Sequence, residues 1–170
     1  MDDILTIVKQ ADIFYKLTPV QLEMVASLCE ERTYALGEVV VVEGGKSEEI
    51  FIIAQGEVDI IITPSRPSGS TGQLAQPVII ARLRPGQSFG EVGLVDNGVR
   101  SATARAAKKD TRMLLIANLR LMKLCDTYPE LGYRLMRNLA TDLALKIRNT
   151  DLRIREQLIY GEHKPEGAGL

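Results

Sequence analysis

The middle of the chain, residues 34–117, consists of short β-branched segments separated by glycines, and this pattern restricts the fold more than any other feature of the sequence. Apolar residues recur there with a period of two, and glycines interrupt them at intervals of roughly ten residues. Short strands between glycine turns are typical of an antiparallel barrel or roll. The predicted strands are residues 39–42, 50–54, 58–62, 78–83, 101–106 and 113–116.

Helical periodicity flanks this region on both sides. Residues 1–33 predict two short N-terminal helices, the second with Thr18 as N-cap and Pro19 at its first position. Residues 118–160 predict C-terminal helices, and an apolar stripe after Pro129 indicates one helix of up to roughly thirty residues. The stripe consists of Leu131, Leu135, Leu139, Leu143, Ile147, Ile154 and Leu158.

We therefore predict an α+β fold. An antiparallel, jelly-roll-like β-roll of about eight short strands is flanked by the N-terminal helices and a long C-terminal helix. The Pro-, Ser- and Gly-rich residues 63–77 predict a long, mobile hairpin tip, and residues 161–170 a disordered tail. The C-terminal stripe is longer than a small roll can cover, so its distal part predicts either a homodimer surface or a helix that folds back onto its own roll.

The composition excludes several function classes. With 21 Lys+Arg and 22 Asp+Glu among 170 residues, the chain has no net field that would attract nucleic acid. Its only histidine is His163, and Cys29 and Cys125 stand far apart, which suits neither a metal site nor a disulfide framework. A metal-dependent enzyme on a cupin-like roll is therefore excluded. No apolar run reaches the roughly 18–20 residues of a membrane span, so we expect a cytoplasmic protein with no membrane partner.

Residues 86–103 carry the chemistry of the chain. They interrupt the strand pattern with one short turn of helix at residues 90–95, whose rim of glycines frees backbone N–H groups to bind an anion. Arg100 follows, and its guanidinium can grip a phosphate through two hydrogen bonds. Glu91 can only accept hydrogen bonds, which suits the hydroxyls of a ribose. The segment therefore predicts a site for a small phosphorylated sugar.

These residues resemble the cyclic nucleotide-binding domain family, the sensor module of catabolite-activator-type regulators and of cyclic-nucleotide-dependent kinase regulatory subunits. The resemblance covers roughly residues 10–158, and weaker signatures occur in order at residues 35–40, 42–44, 50–58 and 83–86. The specific motif is the phosphate-binding cassette of the family. It reads Phe89-Gly90-Glu91-Val92-Gly93-Leu94, followed by Arg100-Ser101-Ala102-Thr103.

The resemblance implies a role for each matching residue. Arg100 is expected to pair with the exocyclic oxygens of a cyclic phosphate, and Glu91 to accept from the ribose 2′-OH. Ser101 is expected to support the phosphate, and Ile60 to form an apolar wall of the base pocket, with Ala81 at a position that touches the base in related activators. The full expected ligand-binding set is Gly90, Glu91, Val92, Arg100, Ser101, Ala102, Ile60 and Ala81, with Lys146, Asn149 and Thr150 on the helix that forms a lid.

The sequence departs from the family at two positions. Val99 stands where a proline often precedes the cassette arginine, and Ala81 stands where bacterial activators carry a hydroxyl that touches the base. In kinase-type members of the family, a hydroxyl at the position of Ser101 accompanies selectivity for cyclic GMP. In the bacterial activators, the run Arg-Ser-Ala accompanies selectivity for cyclic AMP. We expect cyclic AMP as the favoured ligand and cyclic GMP as a possible one.

The function implied is a non-catalytic cyclic nucleotide sensor without cofactor or metal. It would transmit binding through its C-terminal helix to an unknown downstream protein and would form a homodimer along that helix. Two alternatives stay open. One is the ligand-binding half of a transcription regulator whose DNA-reading domain is absent, since residues 161–170 cannot read DNA. The other is a vestigial interaction domain that has lost its ligand.

Overall fold

A computed structural model describes residues 2–64, 76–96 and 99–161. Within these ranges eight strands form two four-stranded antiparallel sheets, with helices at both ends. The helices are α1 (Asp2–Gln10), α2 (Pro19–Ala26), α3 (Val92–Asp96), α4 (Asn118–Thr127) and α5 (Pro129–Gly161), with a 3₁₀ turn at Asp12–Phe14. The strands are β1 (Glu30–Tyr34), β2 (Val39–Val41), β3 (Glu49–Gln55), β4 (Val58–Ile62), β5 (Val78–Leu83), β6 (Ser88–Phe89), β7 (Thr103–Ala106) and β8 (Thr111–Ala117). The predicted α+β fold is confirmed.

The two sheets enclose one apolar cluster and carry a second on their outside. The first sheet has the order β1-β8-β3-β6 and the second β2-β7-β4-β5. Because successive side chains of a strand point to opposite faces, Phe51 and Ile53 of β3 face the inside of the roll. Ile50 and Ile52 of the same strand pack instead against the helices. Burial on both faces explains why β3 is apolar along most of its length.

The helix start predicted at Thr18 is confirmed. The Thr18 hydroxyl accepts from the Gln21 N–H at 3.3 Å, and the Gln21 side chain accepts from the Thr18 N–H at 2.9 Å. Pro19 occupies the first helical turn, where its missing N–H costs nothing. The long C-terminal helix is confirmed as well, because α5 spans 33 residues.

Two strands have no counterpart in the sequence prediction. The helices end at Ala26, so β1 lies mostly within residues 1–33, the range expected to be N-terminal helices. β1 is an edge strand of the first sheet, and only Tyr34 among its residues is buried, so it lacks an apolar alternation. β6 has two residues, which is too short for any period. The hairpin of β4 and β5 is paired as expected, but most of its predicted tip and the predicted tail from residue 162 lie outside the described residues.

Besides the buried side chains of Leu131, Leu135 and Leu139, three polar side chains attach helix α5 to the rest of the fold along one side. The Asn138 side-chain amide donates to the carbonyls of Ile13 at 2.9 Å and Tyr15 at 2.8 Å. Further along, Lys146 contacts the segment between β6 and α3, and Arg153 donates to the carbonyl of Ile80 in β5. These three residues are seven or eight positions apart, about two helical turns, so they share one face. Over the part of the chain that the structure describes, no helix is long and apolar enough to cross a membrane.

Candidate functional site

The backbone at Gly90 turns sharply between β6 and α3. Its φ of +87° lies in the left-handed region, which glycine adopts without strain. A Cβ at this position would meet the Glu49 carbonyl oxygen at 2.8 Å and would also collide with the Arg100 guanidinium. A glycine is therefore required here, because the arginine packs directly against the main chain of the turn.

The backbone of Arg100 is held by the turn that follows β2. Its N–H donates to the Gly45 carbonyl at 2.9 Å, and its carbonyl accepts from the Gly44 N–H at 2.8 Å. Gly44 has a φ of +75°, so a left-handed glycine makes this turn possible. The pair of hydrogen bonds fixes where the Arg100 side chain enters the roll.

The Arg100 guanidinium is buried, with 7% of the residue exposed. Nη1 donates to the Gly90 carbonyl at 3.2 Å, while Nη2 donates to the Glu49 carbonyl at 2.6 Å and to Ser47 Oγ at 2.7 Å. The guanidinium carbon also lies 5.7 Å from the centre of the Phe51 ring. Burial lowers the pKa of Arg100, and the carboxylates of Glu49 and Glu91 oppose that effect. A guanidinium stays protonated at neutral pH, so this is a buried positive charge.

Glu91 is the buried negative counterpart, with 5% of the residue exposed. Its Oε1 accepts from Lys146 Nζ at 2.8 Å. The same ammonium forms an ion pair with Asp142 at 2.8 Å and a long hydrogen bond to the Ser88 carbonyl at 3.4 Å. Burial alone lowers the pKa of Lys146, but the charges and hydrogen bonds of Glu91 and Asp142 outweigh it and raise the pKa above its usual value.

Three buried polar atoms in this region have no hydrogen-bond partner among the described residues. One is Oδ2 of Asp142, which lies 2.8 Å from Lys146 Nζ as an ion pair. The other two are Nε of Arg100, which can only donate, and Oε2 of Glu91, which can only accept. A buried polar group without a partner costs free energy, roughly 1–3 kcal/mol for a neutral one and more for a charged one. An anionic oxygen could accept from Nε of Arg100, and a hydroxyl group could donate to Oε2 of Glu91.

The other predicted site residues lie on β4, β5, α3, the segment before β7 and α5. Ile60 and Ala81 face each other across β4 and β5 and pack against the inner cluster that contains Phe89. Val92 begins α3, and Ser101 and Ala102 lead from Arg100 into β7. On α5, Asn149 and Thr150 are exposed, and the Thr150 hydroxyl donates to the Lys146 carbonyl at 2.9 Å. The structure thus brings Gly90, Glu91, Arg100 and Lys146 together, whereas Asn149 and Thr150 lie outside this cluster.

Sequence reasoning missed three residues of the site. Ser47 and Glu49 hold the Arg100 side chain, and Asp142 shares the Lys146 ammonium. Ser47 also donates to a Glu49 carboxylate oxygen at 2.5 Å. The sequence feature that could have pointed to Ser47 and Glu49 is the glycine pair Gly44 and Gly45, because it marks a turn that returns the chain towards the cassette.

The described residues offer no group of three or more His, Cys, Asp or Glu that could hold a metal ion. Burial raises the pKa of the Cys29 thiol to about 12 and raises that of Cys125 as well. Both thiols therefore stay protonated and unreactive at neutral pH.

The fold and the site together define a β-roll module in which a buried arginine and a buried glutamate lie in one short segment and the C-terminal helix contacts the glutamate. The profile of the cyclic nucleotide-binding domain matches residues 31–128. The chain belongs to the cyclic nucleotide-binding domain family, whose ligands are cyclic AMP and cyclic GMP, and the predicted family is thereby confirmed.

Similar proteins include bacterial and eukaryotic regulators. The chain is 29% identical over 146 residues to the cyclic AMP receptor protein of Thermus thermophilus, covering 86% of this chain and 62% of the relative. It is 30% identical over 111 residues to human cGMP-dependent protein kinase 2, covering 65% of this chain and 14% of the kinase. The chain thus spans about three fifths of the receptor and a small part of the kinase.

Solved structures agree with the fold. The crystal structure of the Thermus thermophilus catabolite activator protein superposes with a TM-score of 0.69 at 29% identity, covering 85% of this chain and 62% of that one. A cyclic nucleotide-binding domain from Methylobacillus flagellatus superposes with a TM-score of 0.75, covering 99% of this chain and 86% of that one. Its identity is 22%, so it supports the fold alone.

Proposed function

We propose that this chain is a non-catalytic sensor that binds a cyclic purine nucleotide, with cyclic AMP preferred to cyclic GMP, and transmits binding through α5. The observation that carries the proposal is the pair of buried, unpartnered atoms at Arg100 and Glu91. One is a donor on a cation and the other an acceptor on a carboxylate, which matches a phosphate and a ribose hydroxyl.

Each part of the nucleotide has a group to receive it. Arg100 and the neighbouring backbone would bind the cyclic phosphate, with Ser101 beside it, and Glu91 would accept from the 2′-OH. The apolar side chains of Ile60 and Ala81 would pack against the base. The contacts of α5 with the cassette and with β5 support a role of this helix as a lid that would close over the base. Such a shift requires the ligand to contact the closed arrangement more favourably than the open one.

The base preference rests on the Arg100-Ser101-Ala102 run, which resembles the bacterial activators. Relatives named for each nucleotide show similar identity, 29% for the cyclic AMP receptor and 30% for the cyclic GMP kinase. The longer match to the receptor, 146 against 111 residues, favours cyclic AMP.

The test is calorimetric titration of the purified chain with cyclic AMP, cyclic GMP and linear 5′-AMP. We expect both cyclic nucleotides to bind and cyclic AMP to bind more tightly, with the linear monophosphate much weaker. Equal affinity for 5′-AMP and cyclic AMP would contradict a cyclic phosphate site. A preference of more than about tenfold for cyclic GMP, about 1.4 kcal/mol, would reverse the base assignment.

We also propose that the chain forms a homodimer along α5 and acts in the cytoplasm on a downstream protein. Ile147 and Ile154 are 62% and 48% exposed, although their helix is attached to its own roll through Lys146 and Arg153. A helix that folds back onto the roll and a helix that pairs with a second copy are therefore compatible, because they use different faces of α5. Leu158, which would extend the stripe, has a side chain outside the described residues.

A further inference from the structure

Lys146 links α5 to the carboxylate that would bind the ribose. Its ammonium lies 2.8 Å from Glu91 Oε1 and 2.8 Å from Asp142, one helical turn earlier on α5. Glu91 belongs to the cassette, whereas Lys146 and Asp142 belong to the helix. The ammonium is thus the direct polar connection between the cassette carboxylate and the lid.

The two oxygens of Glu91 have different surroundings. Oε1 accepts from Lys146, while Oε2 is buried and has no partner in the described part of the chain. A hydroxyl that donates to Oε2 would leave the Lys146 contact in place. The ribose and the lysine can therefore share one carboxylate without competing for it.

Lys146 also fixes the direction of that carboxylate. An ion pair between this buried carboxylate and the half-buried ammonium orients the carboxylate, and removal of the ammonium leaves the buried charge of Glu91 uncompensated. The ammonium in turn is held by Asp142 and the Ser88 carbonyl, so it cannot swing away from Glu91 without breaking contacts on both elements. A neutral side chain of similar length at position 146 would leave the Glu91 side chain free to rotate.

From this geometry we propose that Lys146 is a positioning residue for ribose recognition: it aims Glu91 Oε2 at the 2′-OH and thereby makes recognition of that hydroxyl depend on the docked position of α5. The proposal rests on the cyclic nucleotide site proposed above. It goes beyond the expectation that Lys146 lies on the lid helix, because the residue would act through Glu91.

The test compares cyclic AMP with 2′-deoxy cyclic AMP by calorimetry in four proteins. They are the wild type, Lys146→Met, Lys146→Arg and the control Arg148→Met, which removes an exposed charge from the same helix two residues away. A hydrogen bond to a charged group corresponds to a wild-type preference for the ribose ligand of roughly 10- to 100-fold. Lys146→Met should reduce that preference at least fivefold and leave the affinity for the deoxy ligand nearly unchanged. Lys146→Arg and Arg148→Met should keep the preference within about twofold of the wild-type value.

The outcomes separate this inference from the proposed function. A wild type that binds neither ligand overturns both the proposed function and the role of Lys146. That measurement comes before any variant is made. A wild type that binds normally, with a Lys146→Met preference equal to its own, overturns the inference alone. An equal loss of affinity for both ligands in Lys146→Met also overturns it, because Lys146 would then contact another part of the nucleotide. If Lys146→Met does not fold, Asp142→Asn should also reduce the preference for cyclic AMP over the deoxy ligand. An unchanged preference in Asp142→Asn would contradict a role for the ion pairs that join Asp142, Lys146 and Glu91.

Discussion

Gly90 and Arg100 are the two residues on which the geometry of the site depends most. The Arg100 guanidinium donates to the Gly90 carbonyl and packs where a Gly90 side chain would lie. Both residues could be predicted from the sequence, because the cassette motif names them. Their mutual packing could not be predicted, since it also requires Ser47 and Glu49, just before and at the start of β3 about fifty residues earlier.

A substitution of Gly90 should therefore cost more than one of its neighbour Gly93. We expect Gly90→Ala to lower the free energy of unfolding by about 1–3 kcal/mol, because alanine at positive φ is strained and its Cβ would collide with the Glu49 carbonyl. Gly93→Ala is the matched control, since its nearest neighbour would be Arg100 Nη1 at 3.8 Å, an ordinary contact. Denaturant unfolding monitored by circular dichroism measures both. Equal losses in the two variants would contradict the packing argument.

Arg100 is also expected to provide most of the phosphate affinity. Arg100→Ala should weaken cyclic AMP binding by about 2–5 kcal/mol, because the ligand phosphate would lose its buried charged partner. Arg105→Ala on β7, five residues away, removes the same charge outside the cassette and should change the affinity little. Calorimetry gives the affinities, and a melting curve of each variant shows whether the fold is retained. A folded Arg100→Ala variant that binds like the wild type would contradict the site.

At the level of the elements, the sequence predicted those with a strong period and missed those without one. Strands β3, β4, β5 and β8 are long or apolar enough to be recognised. The four-residue spacing of Leu131, Leu135 and Leu139 identified α5, and this spacing exists because all three side chains are buried on one side of the helix. β1 was missed because its residues are mostly polar and lie at a sheet edge. Local sequence does not encode the contact between Lys146 and Glu91 either, since the two residues are 55 positions apart and meet only through the tertiary fold.

The docking of α5 should depend on pH in the alkaline range. Glu91 and Asp142 outweigh burial and raise the pKa of Lys146 in the folded protein. A raised pKa means that the stabilising effect is complete below the ordinary lysine pKa of about 10.4 and is lost as the pH rises through the folded-state value. We expect the Lys146 contacts to hold from pH 6 to 9 and the helix to loosen only at a pH above the ordinary lysine pKa.

A pair of spin labels, one on α5 and one on the roll, would measure that loosening as a change in distance. Lys146→Arg is the control, because an arginine stays charged to higher pH and should keep the helix docked where the wild type has lost the contact. A wild type and a Lys146→Arg variant that loosen at the same pH would show that other groups control the docking.

At the level of the whole molecule, the exposed face of α5 is the expected dimer surface. Ile147→Glu/Ile154→Glu should convert a dimer into a monomer, because it would place two charges in the apolar stripe of each chain. Leu145→Glu/Leu152→Glu is the matched control. These leucines are also exposed, but they lie roughly 160° away from the isoleucines around the helix. Sedimentation velocity at tens of micromolar decides the point, and a monomeric wild type with and without cyclic nucleotide would contradict the dimer.

The spacing of the contacts on α5 makes the helix a lever. Asn138 is attached to the 3₁₀ turn, Lys146 meets the cassette eight residues later, and the helix continues to Gly161. At 1.5 Å per residue, the cassette acts about 12 Å from the Asn138 attachment, and the end of the helix lies about 35 Å from it. If Arg153 releases the Ile80 carbonyl and α5 pivots as one rod at Asn138, a displacement of about 1 Å at Lys146 becomes roughly 3 Å at the tip. The displacement of the helix thus grows with distance from Asn138. A small rearrangement around a bound ribose would move the far end of the helix by about the size of a methyl group.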